Sequence, residues 1–197
     1  METFRETLSR LFIPVGRMLA AMRIHPHAIS CSGIIFGCTS AYCFVSRHYT
    51  LAIVFFVLSG FSDVFDGMVA RNRGLTSSFG SFMDNFCSAY TDAPVFAGLI
   101  IANLCNPWWG AAALIGTMTR LLTFRLNGLI PQQEAQALRS RFPYALAGKG
   151  DRITLVAIGT AFGCINEAII IIAILTNFVA IHRSFYLYSW EKKALKS

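Results

Sequence analysis

The sequence has few charged residues, and acidic residues are the scarcest of them. Charged side chains make up 14% of the 197 residues and hydrophobic ones 55%, whereas roughly 25% of a soluble domain is charged. Because a soluble core could not bury so much apolar surface, the composition excludes a soluble globular protein and predicts a single-domain integral membrane protein. The net charge of +7 is expected to reflect membrane topology, so we predict no nucleic-acid partner.

Cysteine pairs with metal-ligand spacing are missing as well. The six cysteines show no CxxC or related zinc-ligand spacing, which argues against a zinc finger or a dithiol redox site. Most of them lie inside apolar segments, where cysteine serves as a small apolar side chain. A disulfide between Cys105 and Cys164 is the weaker alternative, since both are expected near the external side of the membrane.

Long apolar segments are abundant, and they predict an all-α protein with six transmembrane helices. The fourth begins near Trp108 and Trp109, which mark a membrane interface. The fifth is short for a hydrocarbon core of roughly 30 Å, so an earlier start, near 142–147, is the alternative. The predicted helices cover 28–46, 49–70, 79–104, 108–124, 151–163 and 166–181.

The N-terminal segment, residues 1–24, has a different pattern. Its apolar residues recur at helical spacing with arginines between them, and no unbroken apolar run follows as a signal peptide would require. This pattern predicts an amphipathic helix that lies at the membrane interface. The remaining predicted units are a six-helix transmembrane domain over 25–183 and a short, charged cytoplasmic tail over 184–197 with a frayed end.

The basic residues favour one orientation in the membrane. With a cytoplasmic N-terminus and six spans, sixteen of the seventeen Lys and Arg fall in cytoplasmic segments, and only Arg47 lies outside. This asymmetry follows the positive-inside rule. We therefore expect both termini in the cytoplasm, with the connection after the second helix on the same side.

The stretch 63–92 is where the scarce acids gather, with four of the ten carboxylates of the chain. Asp63 and Asp66 share one face of a helix, and a short connection would bring Asp84 on the next helix opposite them. Carboxylates at membrane depth are costly unless they bind something. Three of them without His or Cys suit a hard cation such as Mg²⁺ or Mn²⁺. A site with two ions would neutralise a diphosphate and stabilise both oxygens of an in-line displacement.

Two other interpretations of these acids are open. They could form structural ion pairs with Arg71 and Arg73. They could also belong to an ion or proton transporter, but a relay predicts acids spread through the membrane thickness. Here the acids lie near one cytoplasmic edge, which favours a binding site there.

The same stretch resembles the signature of the CDP-alcohol phosphatidyltransferase family, D-x2-D-G-x2-A-R-x8-G-x3-D-x3-D. The resemblance implies transfer of a phosphatidyl-type group from a CDP-linked lipid to an alcohol, release of CMP, and a homodimer. Gly67, Ala70 and Gly80 would leave room for the nucleotide beside Asp66, and Arg71 would bind its phosphates. Seven of the eight fixed positions match at the correct spacing, namely Asp63, Asp66, Gly67, Ala70, Arg71, Gly80 and Asp84.

The eighth position departs from the signature. The resemblance implies an Asp that takes the proton of the acceptor hydroxyl, but Ser88 stands there. An unactivated hydroxyl is a very weak base, and general-base catalysis contributes roughly 10²–10⁴-fold, so we expect a large loss of rate. Asp92, one turn further, could replace the base only through a shifted helix or a water. A nearly inactive member, a rearranged site and an introduced Asp→Ser change are the explanations left open.

The acceptor is predicted from a looser match. A basic cluster lies on the cytoplasmic side, made of Arg120, Arg125, Lys149 and Arg152. Of these, Arg125, Lys149 and Arg152 fall where the resemblance implies basic residues near the acceptor pocket. We predict a phosphorylated acceptor such as inositol phosphate or glycerol phosphate, with topology-setting charge as the alternative. A non-catalytic binder of CDP-lipid or nucleotide is the competing function, because of Ser88.

A short segment at the start of the first helix resembles the family only in part. The family has Pro-Asn-x-x-Thr there, and this chain has His27 and Ser30 at the polar positions.

Overall fold

The computed structural model describes residues 26–72, 74, 78–126 and 148–194. These ranges contain helices and no strand, so the predicted all-α class is confirmed there. The amphipathic helix predicted over 1–24 and the alternative start near 142–147 lie outside the described residues. The helices in chain order are α1 (Pro26–Val45), α2 (Tyr49–Asn72), α3 (Ser78–Ile101), α4 (Pro107–Leu126), α5 (Lys149–Ala161) and α6 (Ile165–Ala194).

Three of these helices are long and apolar enough to cross a membrane. Their apolar segments are Ala28–Val45, Tyr49–Ala70 and Ile165–Phe185, with mean hydropathies of 1.6 to 1.8. In α3 the apolar segment covers only Phe86–Ile101, because the first turns of that helix carry polar residues. The 13 residues of α5 extend about 20 Å, less than the hydrocarbon core. Six helices are thus found where six were predicted, and three of them qualify as spans on length and composition within the described ranges.

The last helix continues beyond its predicted end. A helix ending near Ile181 and a frayed segment after Ser184 were predicted, but α6 has 30 residues and ends at Ala194. The frayed end is therefore wrong over this range. Residues 182–194 contain neither Gly nor Pro, and Glu, Lys and Ala near the end favour a helix. The end of the apolar run marks where the surroundings of α6 become polar. It does not mark the end of the helix, which continues to Ala194.

Helix α1 packs against both α2 and α3. It runs antiparallel to α2, where the Ser40 hydroxyl donates to the Ala52 carbonyl at 2.7 Å. It runs parallel to α3, where a Cβ added at Gly37 would lie 2.5 Å from the Thr91 carbonyl oxygen. Small residues on α1 therefore serve close packing within the chain, as they commonly do between membrane helices.

Helices α4 and α6 form a second closely packed pair. They run parallel, since the Asn106 N–H donates to Asn166 Oδ1 at 2.9 Å and Asn177 Nδ2 donates to the Ala112 carbonyl at 2.8 Å further along. Buried apolar side chains join this pair to the first group of helices. The largest of them in this core are Phe44, Phe56, Phe96, Leu99, Ile169 and Ile172.

The six cysteines are all free thiols. The alternative disulfide between Cys105 and Cys164 is therefore not formed. Cys105 is buried in the connection between α3 and α4, and burial raises the pKa of its thiol. A raised pKa disfavours the thiolate that disulfide exchange requires.

A buried ion pair ties α5 to α3. The Arg152 guanidinium contacts the Asp92 carboxylate, and the two side chains are 4% and 0% exposed. Within the described part of the chain, neither Asp92 oxygen has an aligned hydrogen bond, so the ion pair is the contact that compensates this buried charge. The Arg152–Asp92 pair fixes the position of the first turns of α5. It thereby also fixes the backbone of Lys149, the first residue of that helix.

The close approach of α1 and α3 predicts the effect of a single methyl group. We expect Gly37→Ala to lower the free energy of unfolding by about 1–3 kcal/mol, as overpacking typically does. Gly150→Ala is the matched control, because among the described residues no atom lies within 4 Å of a Cβ added there. Thermal unfolding in detergent measures both variants. Equal unfolding temperatures for the two would contradict the packing described.

The buried ion pair predicts a non-additive pair of substitutions. We expect Asp92→Asn and Arg152→Met each to lower the free energy of unfolding by about 3–5 kcal/mol, because each leaves a buried charge unpaired. The double variant should lose clearly less than the sum. Denaturant unfolding in micelles completes the double-mutant cycle. Additive losses would show that the two side chains do not stabilise each other.

Candidate active site

The helices place the predicted acidic residues at one end of the bundle. Helix α2 ends at Asn72 and α3 begins at Ser78, so the last turns of one and the first turns of the other flank the same short connection. Asp63 and Asp66 lie on α2, and Asp84 lies on α3. The first turn of α5 reaches the same region, since Lys149 contacts α2.

Asp63 is surrounded by polar and charged groups from three helices. Lys149 Nζ lies 2.8 Å from Asp63 Oδ1, and the two side chains are 10% and 17% exposed. The same ammonium donates to the Ser59 carbonyl at 3.1 Å. Ser88 and Asp92 of α3 lie near Asp63 as well. Asp63 is thus the point where α2, α3 and α5 meet.

Asp66 is held by a residue of α1. It is 4% exposed, as is Ser30 on α1, and the Ser30 hydroxyl donates to Asp66 Oδ2. The sequence placed Ser30 at a polar position of the partly matching segment and did not assign it to the site. Because α1 also carries Ser32, Thr39 and Ser40, no signal in the sequence singles out Ser30.

Ser88 lies on α3 at the position where the signature has its last Asp. Its side chain lies near Asp63 of α2. Asp92, which the sequence considered as a substitute base, is fully buried and paired with Arg152. Replacement of the base by Asp92, through a shifted helix or a water, stays a prediction.

Two of the predicted acceptor residues contact acids of the chain itself. Lys149 contacts Asp63 and Arg152 contacts Asp92. The neighbouring Asp151 accepts a hydrogen bond from the Gly148 N–H at 2.9 Å and so caps the first turn of α5. Acceptor binding by Lys149 and Arg152 stays a prediction.

Other predicted site residues are placed by their helices alone. Gly67 and Ala70 follow the two acids on α2, and Gly80 precedes Asp84 on α3. The nucleotide site predicted from these small residues is therefore split between the two helices that carry the acids. The side chains that lie outside the described part of the chain are those of Arg71, Asp84, Arg120 and Arg125.

The donor set fits a hard divalent cation. Asp63 and Asp66 supply carboxylate oxygens one helical turn apart, and the stretch 63–84 contains neither His nor Cys. Among the side chains that the structure describes, no three His, Cys, Asp or Glu groups gather closely enough to hold an ion, and Asp84, the third predicted ligand, is not among those side chains. Oxygen ligands of this kind suit Mg²⁺ or Mn²⁺.

One contact of the site could not be found from sequence patterns. The Ser59 backbone carbonyl accepts from Lys149, and a backbone contact leaves no side-chain signal. Lys149 itself was predicted for the acceptor and not for contact with Asp63, because 86 residues separate the two.

Comparison with known proteins adds relatives of defined activity. An archaetidylinositol phosphate synthase of Pyrococcus horikoshii is 24% identical over 172 residues, 87% of each chain. The archaetidylinositol phosphate synthase of Methanothermobacter thermautotrophicus is 24% identical over 200 residues, covering 98% of this chain and 95% of that protein.

Solved structures share the fold. The phosphatidylinositol phosphate synthase of Mycobacterium tuberculosis with CDP-DAG bound gives a TM-score of 0.62 at 20% identity, over 91% of this chain and 94% of that one. The same enzyme in complex with manganese and citrate gives a TM-score of 0.58 at 20% identity, over 89% and 88% of the two chains. At this identity the likeness establishes the arrangement of helices.

The sequence model of one family covers most of the chain. The model described as CDP-alcohol phosphatidyltransferase matches residues 23–185, a range that contains α1 to α5 and most of α6. The match, the signature on α2 and α3, and the shared fold lead to the same assignment. The chain belongs to the CDP-alcohol phosphatidyltransferase family and is, as a member, a membrane-bound CDP-alcohol phosphotransferase of phospholipid biosynthesis.

Proposed function

We propose that the protein transfers a lipid-linked phosphate from a CDP-lipid to an inositol phosphate and releases CMP. The observation that carries this proposal is the arrangement of Asp63 and Asp66, each held by a partner from another helix, Lys149 from α5 and Ser30 from α1. Carboxylates at membrane depth are costly unless they bind something, and two of them one helical turn apart are suited to a bound cation. The names of the archaeal relatives support inositol phosphate as the acceptor, with glycerol phosphate as the second candidate.

The transfer is an in-line displacement at phosphorus. The acceptor hydroxyl oxygen forms a bond to the lipid-side phosphorus of the diphosphate and gives up its proton to water. The bond from that phosphorus to the bridging oxygen breaks, and CMP leaves with the bridging oxygen. Asp63, Asp66 and Asp84 would hold two Mg²⁺ or Mn²⁺ ions, which neutralise the diphosphate when bound. The manganese in a solved relative supports this choice of metal.

The chain's own residues would bind and orient the two substrates. Gly67, Ala70 and Gly80 leave space for the nucleotide beside Asp66, and Arg71 pairs with its phosphates. The acceptor phosphate would meet Arg120, Arg125 and Lys149, with Arg152 supporting the pocket through its contact with Asp92.

The orientation in the membrane is part of the proposal. Six helices span the bilayer with both termini in the cytoplasm, so the active site opens at the cytoplasmic face, where water-soluble acceptors are available. The distribution of Lys and Arg supports this orientation. A homodimer is proposed from the family resemblance.

A second function is favoured by one observation, the serine at the base position. Ser88 lies near Asp63, so the carboxylates proposed to bind the cation are kept while the proton acceptor is missing. A protein of this kind would bind CDP-lipid or nucleotide with little turnover. Calorimetric titration with CDP and Mn²⁺, paired with a CMP-release assay, separates the two functions: binding without turnover favours the binder.

Restoring a carboxylate at the base position should raise activity. We expect Ser88→Asp to increase CMP release by roughly 10²–10⁴-fold, the range of general-base catalysis. Ser88→Asn is the matched control, because its side chain has nearly the same shape and no basic group. A CMP-release assay on purified protein with a CDP-lipid measures both. Equal rates for the two variants would indicate a rearranged site or inactivity from another cause.

The nature of the acceptor predicts a pattern of rates. In the Ser88→Asp background, we expect CMP release with inositol phosphate and none above background with unphosphorylated inositol, because the arginines recognise the phosphate. Arg125→Ala should raise the KM for the acceptor with a smaller change in kcat. A panel of alcohols with and without phosphate tests this. Equal rates with phosphorylated and free inositol would reject the phosphorylated acceptor.

A further inference from the structure

We propose that Lys149 and a divalent cation compete for the carboxylate of Asp63, so that metal binding releases Lys149 toward the phosphate of the acceptor. The inference rests on the metal site and the acceptor proposed above. It adds a coupling between them: one side chain takes part in both sites in turn.

The contacts of Lys149 show what a cation at Asp63 would meet. Its ammonium lies 2.8 Å from Asp63 Oδ1, and its second contact is the Ser59 carbonyl at 3.1 Å. The side chain is only 10% exposed, so little water screens its charge. A divalent cation and an ammonium that share one carboxylate oxygen would repel each other strongly in these surroundings. Binding of one therefore weakens binding of the other.

The position of Lys149 in the chain lets it move while α5 stays in place. It is the first residue of α5, with Gly148 before it as the N-cap and Gly150 after it. Among the described residues, no atom lies within 4 Å of a Cβ added at Gly150, so there is space on that side. Arg152, one turn further, is held by the buried contact with Asp92. A change of rotamer at Lys149 therefore does not require the helix to shift.

The charges also indicate where the released side chain would go. Asp92, the other acid whose charge acts on Asp63, already has Arg152 as its partner. Once released, the Lys149 ammonium would still lie at the first turn of α5, close to the proposed cation site, and would no longer be paired with Asp63. A phosphorylated alcohol supplies the anion that suits it, since an ammonium binds phosphate as a point charge. Metal loading would thus prepare the acceptor site.

The affinity for Mn²⁺ tests the competition directly. We expect Lys149→Met to bind Mn²⁺ roughly fivefold or more tightly than the unaltered protein, which is the low end of couplings between two sites. Lys149→Arg keeps the charge and should stay near the unaltered affinity. Lys192→Met, the same substitution at an exposed lysine of α6, is the control and should change nothing. Free Mn²⁺ measured by electron paramagnetic resonance in detergent gives the dissociation constants.

The outcomes separate this inference from the proposed function. If Asp63→Asn does not weaken Mn²⁺ binding, the metal site itself is wrong. If Asp63→Asn weakens it while Lys149→Met leaves it unchanged or weaker, the metal site stands and the competition is rejected.

A second measurement uses the unaltered protein and does not depend on how a variant folds. Lysines are acetylated with acetic anhydride in phosphate-free buffer, with and without Mn²⁺, and quantified by mass spectrometry. We expect acetylation of Lys149 to rise severalfold when Mn²⁺ is added, because the amine leaves its buried carboxylate, while that of Lys192 stays constant. Equal acetylation of Lys149 in both conditions would overturn the proposal.

Discussion

A carboxylate inside an apolar helix bundle needs a partner, and this requirement organises the structure. Burial of an unpaired charge is too costly for a membrane helix. Asp63 therefore pairs with Lys149, Asp66 accepts from Ser30, and Asp92 contacts Arg152. Each contact joins two different helices, so these acids connect α2 to α1 and α5, and α3 to α5. In the proposed function, Asp63 and Asp66 therefore serve both packing and cation binding.

The two cations of α5 have different roles in this arrangement. Arg152 contacts a fully buried acid and anchors the helix. Lys149 is the first residue of α5 and lies between two glycines. It contacts Asp63, an acid of the signature on α2. The two residues are three positions apart on α5 and share a face. Of the two, Lys149 is the one that is placed to exchange its partner. The anchor makes such an exchange compatible with a fixed helix.

Much of the fold could be predicted from the sequence, because apolar runs separated by polar turns mark membrane helices. The predicted starts of all six helices agree with the structure to within a few residues. The predicted end of α6 was wrong, because hydropathy reports the surroundings of a helix and not its backbone hydrogen bonds. The acids were found because their spacing follows a signature. Their contacts with Ser30 and Lys149 were not predicted, because pairs 36 and 86 residues apart are set by helix packing, which no local pattern encodes.

The central claim is that Asp63, Asp66 and Asp84 bind a divalent cation that in turn holds the diphosphate of the donor. Electron–nuclear double resonance on Mn²⁺-loaded protein with CDP bound tests it most directly, because a ³¹P coupling appears only when phosphate oxygen binds the metal. We predict a ³¹P coupling in the unaltered protein and its loss in Asp66→Asn. Bound Mn²⁺ without a ³¹P coupling, or a coupling that persists unchanged in Asp63→Asn, Asp66→Asn and Asp84→Asn, would contradict the account.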